Sequence, residues 1–187
     1  MIETEFINLK VNDEKVTVET GDRLLQAIKK TQTQVPTLCY DERIGPQGTC
    51  RMCLVEVEKN GQKNYVASCT YMAEDDIEVF THSETLIEYR KTLLELSLSE
   101  IRWDKESMNK TKLTNNEFSN AVNEYKPENY FPDLNKRKSI KEDLNPFIAR
   151  DYDKCIACYR CTNICNDWEQ ASAITIDGRG QDSKIFS

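Results

Sequence analysis

Eight cysteines in two widely separated sets of four constrain this chain more than any other feature. Cys39, Cys50, Cys53 and Cys69 follow the pattern C-x10-C-x2-C-x15-C, and Cys155, Cys158, Cys161 and Cys165 follow C-x2-C-x2-C-x3-C. Clustered thiols mean either a disulfide framework or a metal site, and the compartment decides between them. The N-terminus, MIETEFINLKVNDEKV, places acids early and has no apolar h-region, so it is not a secretory signal. No run approaches the roughly 20 apolar residues that cross a bilayer. The expectation is a cytoplasmic protein without membrane insertion, whose thiols stay reduced and bind metal.

The formal net charge of −7 argues against a nucleic-acid partner, because phosphate binding needs a basic face. The one short basic run, Lys136–Lys138, reads as solvated surface.

Around the first set the chain reads as compact α+β. Apolar residues alternate on either side of Asn12-Asp13, from Phe6 to Val18, which predicts a hairpin. TGDRLLQAIKKT follows as a helix, with Thr20 or Asp22 as N-cap and Leu24, Leu25 and Ile28 on one face. MCLVEVEKNGQKNYVASC predicts a second hairpin turning at Asn60-Gly61. Ile77, Val79 and Phe80 suggest a last strand. Hairpin, helix, hairpin and strand is the order of a β-grasp domain.

From Thr81 the period becomes helical. Thr81-x-x-Glu84 reads as a capping box, and Leu86, Ile87, Leu93, Leu94, Leu98 and Ile101 recur on one face of a helix ending near Trp103. A polar stretch with Pro127 and Pro132 follows, reading as a short helix or two and then a linker. Further on, Ala173–Ile176 looks like a strand and Asp177-Gly178 like a turn, after which no closing element is evident. The expected organisation is a β-grasp domain over 1–80, an amphipathic helix and polar linker over 81–145, and a second cysteine segment over 146–187.

A 2Fe–2S cluster needs four thiolates converging on two irons. Cys50 and Cys53, two residues apart, can serve one iron from a tight loop, while Cys39 and Cys69 come from elsewhere in the fold. Gly45, Pro46 and Gly48 suit a loop that turns backbone N–H groups toward sulfur, which tunes a cluster's potential. A zinc-bound structural or regulatory module could use the same thiolates, although zinc ribbons carry two C-x2-C pairs and this set has one. The first gap is longer than the C-x4-C that opens plant-type ferredoxin spacing.

The second set has the spacing of a bacterial ferredoxin run, in which three close thiolates take three corners of a 4Fe–4S cube. In two-cluster ferredoxins the fourth cysteine ligates the other cluster, so Cys165 is the uncertain member here. Asn166 stands where that run usually has proline. Tyr152, Tyr159 and Trp168 flank the run and suit a shield against water. His82, the one histidine, reads as an exposed helix-start residue.

P-x-L-C-Y, G-x-C-R-M-C-L-V-E-V and A-S-C, over residues 1 to about 100, resemble the N-terminal iron–sulfur region of the complex I large iron–sulfur subunit, iron-only hydrogenases and a class of formate dehydrogenases. NPFIARDYDKCIACYRCTNIC and ITIDGRG resemble the same family. The resemblance implies that Cys39, Cys50, Cys53 and Cys69 hold a 2Fe–2S cluster and that Cys155, Cys158, Cys161 and Cys165 belong to a 4Fe–4S cluster. In that family a site of one histidine and three cysteines follows the 2Fe–2S domain. No cysteine lies between Cys69 and Cys155, so the family's ligands for that site are missing.

The function these features imply is an iron–sulfur electron-transfer subunit or domain with no catalytic site of its own. It would relay single electrons to or from a catalytic subunit of hydrogenase, formate dehydrogenase or flavin/NADH type in a hetero-oligomer. An iron–sulfur redox sensor and a piece of a longer polypeptide are the other readings.

Overall fold

The computed structural model describes residues 5–101, 116–128 and 151–186. Trp103, Pro132, Lys136–Lys138 and most of the expected linker lie outside these residues. Two compact units emerge: Met1–Tyr40 with Gly45–Arg90, and Asp41–Ile44 with Lys91–Ser187.

In the first unit, β1 (Phe6–Val11) and β2 (Glu14–Glu19) form the first hairpin. Its turn residues Asn12 and Asp13 take φ of 44° and 70°, a left-handed backbone that Asn and Asp tolerate better than most residues. Helix α1 (Leu24–Lys29) follows, then the hairpin β3 (Leu54–Lys59) and β4 (Gln62–Ala67), turned by Asn60 and Gly61 at φ 52° and 75°. Strand β5 (Glu78–Phe80) runs parallel to β1 and antiparallel to β3. The sheet order is β2-β1-β5-β3-β4, the β-grasp arrangement expected.

Alternation explains which face is covered. Leu9, Val11, Val16, Val18, Val55, Val57 and Val79 point to one side and meet Leu24, Ala27 and Ile28 of α1. Each such fully buried aliphatic side chain contributes about 1.5–3 kcal/mol. The α1 N-cap is Arg23, not Thr20 or Asp22: the Asp22 carboxylate instead accepts from the Glu19 N–H at 3.2 Å.

Helix α2 (Glu84–Glu100) begins later than the Thr81 box implies. Thr81 is buried, and Asn12 claims both its polar groups. The Asn12 Nδ2 donates to Thr81 Oγ1 at 2.6 Å, and the Thr81 N–H donates to Asn12 Oδ1 at 2.9 Å. Ser83 serves as the first-turn acceptor instead, with its Oγ 3.4 Å from the Leu86 N–H and its carbonyl 3.0 Å from the Ile87 N–H.

In the second unit, α3 (Glu117–Tyr125) is capped by Asn116, whose side chain accepts from the Ser119 N–H at 2.8 Å. A 3-10 turn (Tyr152–Lys154), the short helix α4 (Arg160–Asn163) and a π-helical turn (Ile164–Trp168) carry the second cysteine set. β6 (Thr175–Asp177) then pairs antiparallel with β7 (Lys184–Phe186). The tail therefore does have a closing element, which three residues of strand are too few to announce in the sequence. Among the described residues no helix is long and apolar enough to cross a membrane.

Candidate functional site

The first cysteine set gathers at one end of the β3–β4 hairpin. Cys53 immediately precedes β3, and Cys69 lies two residues beyond the end of β4. The register Leu54↔Ala67 places the two chain ends side by side. The bond from the Ser68 N–H to the Cys53 carbonyl, 3.1 Å, continues that pairing by one step. Cys39 enters from the loop after α1, and Cys50 from the glycine-containing loop before β3.

Cys39, Cys53 and Cys69 are buried and Cys50 is half-buried. The thiols come together as two pairs, Cys39 with Cys50 and Cys53 with Cys69, each sharing a hydrogen bond. The C-x2-C spacing suggested instead that Cys50 and Cys53 act together. Arg51, at φ 57°, turns the backbone between them and lets each thiol find a partner from another segment.

Electrostatics follow the pairing. The Cys39 thiol is drawn well below its usual range by its bond with Cys50, helped by the N–H groups of Cys50 and Thr49 and opposed by burial. Cys50 is pushed up by the same bond and by burial. Cys53 is drawn down by Cys69, with the Ser68 hydroxyl assisting against burial, and Cys69 is pushed up in turn. The Cys39 charge acts on both Cys53 and Cys69, so the two pairs are neighbours.

Backbone amides complete the cradle. The Cys50 N–H points at Cys39 Sγ from 3.5 Å, and the Gly48 N–H faces Cys69. Gly48 has φ +64°, and a Cβ there would sit 3.1 Å from Thr70 Cγ2, so the close approach and the left-handed backbone both call for glycine. Leu25 and Ala67, with half-buried Val35 and Tyr40, pack around Cys53 and Cys69. Among the described residues no group of three or more His, Cys, Asp or Glu converges on a single ion. Two thiol pairs side by side, with amides aimed at sulfur, fit a group that presents two irons, each needing two thiolates.

The second set is arranged differently. Cys155, Cys158 and Cys161 lie on a tight curl in which Ala157 and Tyr159 take φ 52° and 62°. Cys161 is exposed as a residue, yet partial desolvation of its sulfur and the charges of Cys158 and Cys155 push its thiol up, so these three lie within each other's field. The Arg160 guanidinium bonds to the Cys158 sulfur and to the Glu117 carboxylate at 2.5 Å. Cys165 is buried in the π-helical turn, where its Sγ accepts from the Ala173 N–H at 3.3 Å. Tyr152 and Tyr159 are half-buried, whereas Trp168 is 55% exposed and does not serve as the shield expected of it. His82 is exposed, with Nδ1 2.7 Å from Thr81 Oγ1.

Asp41–Ile44, inside the long gap between Cys39 and Cys50, groups with this second unit. Arg43 holds the Asp41 carboxylate below its usual range through contacts of 2.9 Å, and Arg160 adds to that field.

One residue that the sequence reading missed is Arg90, fully buried on α2 with its guanidinium on the Met52 and Leu54 carbonyls, either side of Cys53. A signal for it exists: Arg90 falls four residues from Leu86 and four from Leu94, in the middle of the buried stripe.

Residues 4–84 match the family model of the 2Fe-2S iron-sulfur cluster binding domain. The mitochondrial NADH-ubiquinone oxidoreductase 78 kDa subunit of Neurospora crassa is 28% identical over 180 residues, covering 96% of this chain and 24% of the relative. NADP-reducing hydrogenase subunit HndD of Solidesulfovibrio fructosivorans is 29% identical over 180 residues, covering 94% of this chain and 30% of the relative. This chain therefore spans less than a third of the length of these curated relatives. The crystal structure of an NAD+-reducing [NiFe]-hydrogenase in its H2-reduced state superposes with a TM-score of 0.80 and 26% identity, over 96% of this chain and 74% of that one. These are the kinds of protein the cysteine motifs resemble.

Proposed function

We propose that this chain is an iron–sulfur electron-transfer subunit, or that part of a longer protein, relaying single electrons to or from a catalytic oxidoreductase partner. The partner is of hydrogenase, formate dehydrogenase or flavin/NADH type, and the assembly is a cytoplasmic hetero-oligomer. The observation that carries this reading is the pairing of Cys39 with Cys50 and Cys53 with Cys69 inside a loop of inward-facing amides.

A thiolate-held 2Fe–2S cluster supplies a one-electron centre with a potential on the order of −400 mV. The residues of this chain do the rest. Cys39, Cys50, Cys53 and Cys69 are the ligands. The N–H groups of Gly48, Thr49 and Cys50 stabilise charge on sulfur. Leu25, Val35 and Tyr40 keep water from Cys53 and Cys69. Loading requires the protons on Cys50 and Cys69 to leave, so it is favoured as pH rises. In the second unit Cys155, Cys158 and Cys161 would hold three corners of a 4Fe–4S cluster, and the fourth ligand comes from Cys165, whose sulfur accepts from the Ala173 amide, or from a partner chain.

Anaerobic purification of the full chain tests this. Brown protein with acid-labile sulfide, and an EPR signal on dithionite reduction whose intensity matches one 2Fe–2S centre per chain, supports it. A colourless, EPR-silent chain containing stoichiometric zinc would sink it. Identification of what co-purifies from the native host distinguishes among the partner types.

A further inference from the structure

Three consecutive carbonyls around the Cys53 ligand are taken up from two sides. The Cys53 carbonyl accepts from the Ser68 N–H at 3.1 Å and from Ser68 Oγ at 2.9 Å. Successive carbonyls of β3 face opposite ways, so that of Leu54 faces the β5 side, and the Met52 carbonyl, in the turn just before the strand, opens to the same guanidinium. β5 does not reach them, because its pairing with β3 stops at Glu56↔Phe80. The buried Met52 carbonyl and the half-buried Leu54 carbonyl would be left without a sheet partner, at the cost of unmade hydrogen bonds.

Arg90 fills that gap from α2. Its Nε donates to the Met52 carbonyl at 3.2 Å and its Nη2 to the Leu54 carbonyl at 2.8 Å. Arg90 is 0% exposed and Met52 1%. The planar fork suits this task, since it spans two acceptors at fixed separation, which a lysine ammonium cannot reproduce. The guanidinium is therefore buried against the two residues that flank Cys53.

We propose that Arg90 is the positioning residue of the first cysteine site: it locks the turn so that Cys53 faces Cys69, and its buried charge favours the reduced state of the centre those thiols hold. The second half rests on the 2Fe–2S reading above. The first half concerns this chain's own backbone and stands without the cluster.

The test compares Arg90→Met and Arg90→Lys with the unaltered full chain. The iron-loaded proteins are titrated with dithionite and mediators and followed by EPR. In parallel, the iron-free proteins are treated with iodoacetamide, and modification of Cys53 is timed by peptide mass spectrometry. Arg90→Met is expected to have a more negative potential, an altered reduced-state line shape and roughly tenfold faster Cys53 modification, the loss of a charge-assisted bond. Arg90→Lys is expected to keep the potential near that of the unaltered chain while Cys53 still reacts faster. A folded Arg90→Met with unchanged potential and unchanged Cys53 reactivity overturns the proposal. If Arg90→Met does not fold, Arg90→Lys decides: Cys53 modification at the unaltered rate overturns it. If the unaltered chain shows no 2Fe–2S signal, the functional reading fails instead, and the modification rates still judge the positioning role.

Discussion

Cys53 and Cys69 project from the end of a β-grasp sheet whose strands bury Leu9, Val11, Val18, Val55 and Val79 against α1. Cys155, Cys158 and Cys161 sit on a curl with left-handed residues at Ala157 and Tyr159, followed by a four-residue helix and a π-helical turn. Among the described residues of 151–186, the buried apolar side chains are Cys165 and Ile185. One cysteine set hangs on a core; the other is shaped largely by its own backbone. A core-borne site is preorganised before metal arrives, whereas a backbone-shaped site draws more of its order from the metal.

Ligand substitution is the strongest way to break this contrast. Cys53→Ser should abolish the 2Fe–2S signal and leave the second centre intact, and Cys158→Ser should do the reverse. Cys165→Ser decides whether this fourth thiol, which accepts from the Ala173 N–H as Cys39 accepts from the Cys50 N–H, belongs to the second centre: retained iron would place it outside. Iron and sulfide content with EPR reads all three. Loss of the second centre's iron in Cys165→Ser would place that thiol in the coordination.

Removing the metal probes the same contrast without mutation. In the iron-free chain, amides of β1 and β3 should exchange slowly, at least roughly 100-fold slower than those from Cys155 to Cys165. Hydrogen exchange with mass spectrometry measures this. Equal protection in both regions would show that the second curl is preorganised too.

How far the sequence reveals each site follows from what fixes it. The two hairpins are legible because Asn12-Asp13 and Asn60-Gly61 are residue types that accept positive φ, a local requirement with a local signature. The sheet order follows from those hairpins and one short strand. The thiol pairing is not legible, because it depends on the β3–β4 register and on the turn at Arg51, and neither shows in a C-x2-C spacing. The cap residues fail for a related reason. Thr81 has the right chemistry for a cap, but Asn12, 69 residues away in sequence, takes both its polar groups. Arg90 is hidden by habit: a charged residue in an amphipathic helix is read as outward-facing, although its spacing from Leu86 and Leu94 puts it inside. In the second set, spacing identifies three thiols with a common field, but no pattern in the sequence tells that the Ala173 amide reaches Cys165.

Acid–base behaviour separates the regions next. In the iron-free first set, Cys39 and Cys53 fall from the ordinary 9.0 to about 5 and about 6, through their bonds with Cys50 and Cys69. From about pH 6 to 9 the unfolded chain holds protons that these folded thiols have released, so stability rises with pH. Above 9.0 the unfolded chain sheds protons that folded Cys50 and Cys69 retain, and stability falls. The second set contributes a falling limb through Cys161, whose pKa is raised, so its stabilisation is present below the ordinary value and lost above it. Urea denaturation of the iron-free chain across pH should therefore peak near 9 for the sheet. A profile falling throughout from pH 6 would mean that the two thiol pairs do not share protons as described.

The smallest effect, and the sharpest test of backbone design, compares Gly48→Ala with Ala157→Gly. Both positions are left-handed, at φ +64° and +52°. At Gly48 a methyl group meets Thr70 Cγ2 at 3.1 Å and the residue must hold its N–H toward Cys69, so alanine should cost about 1–2 kcal/mol in the iron-free chain. It should also speed release of iron from the first centre to a chelator. At Ala157 a non-glycine residue already bears the left-handed strain. Glycine there relieves that strain while adding disorder to the unfolded chain, and the two offset to within about 1 kcal/mol. Thermal melts of the iron-free proteins and chelator release rates of the loaded ones measure the pair. If Gly48→Ala releases first-centre iron no faster than the unaltered chain, the Gly48 amide does not hold Cys69, and the first site owes its order to the sheet and Arg90 alone.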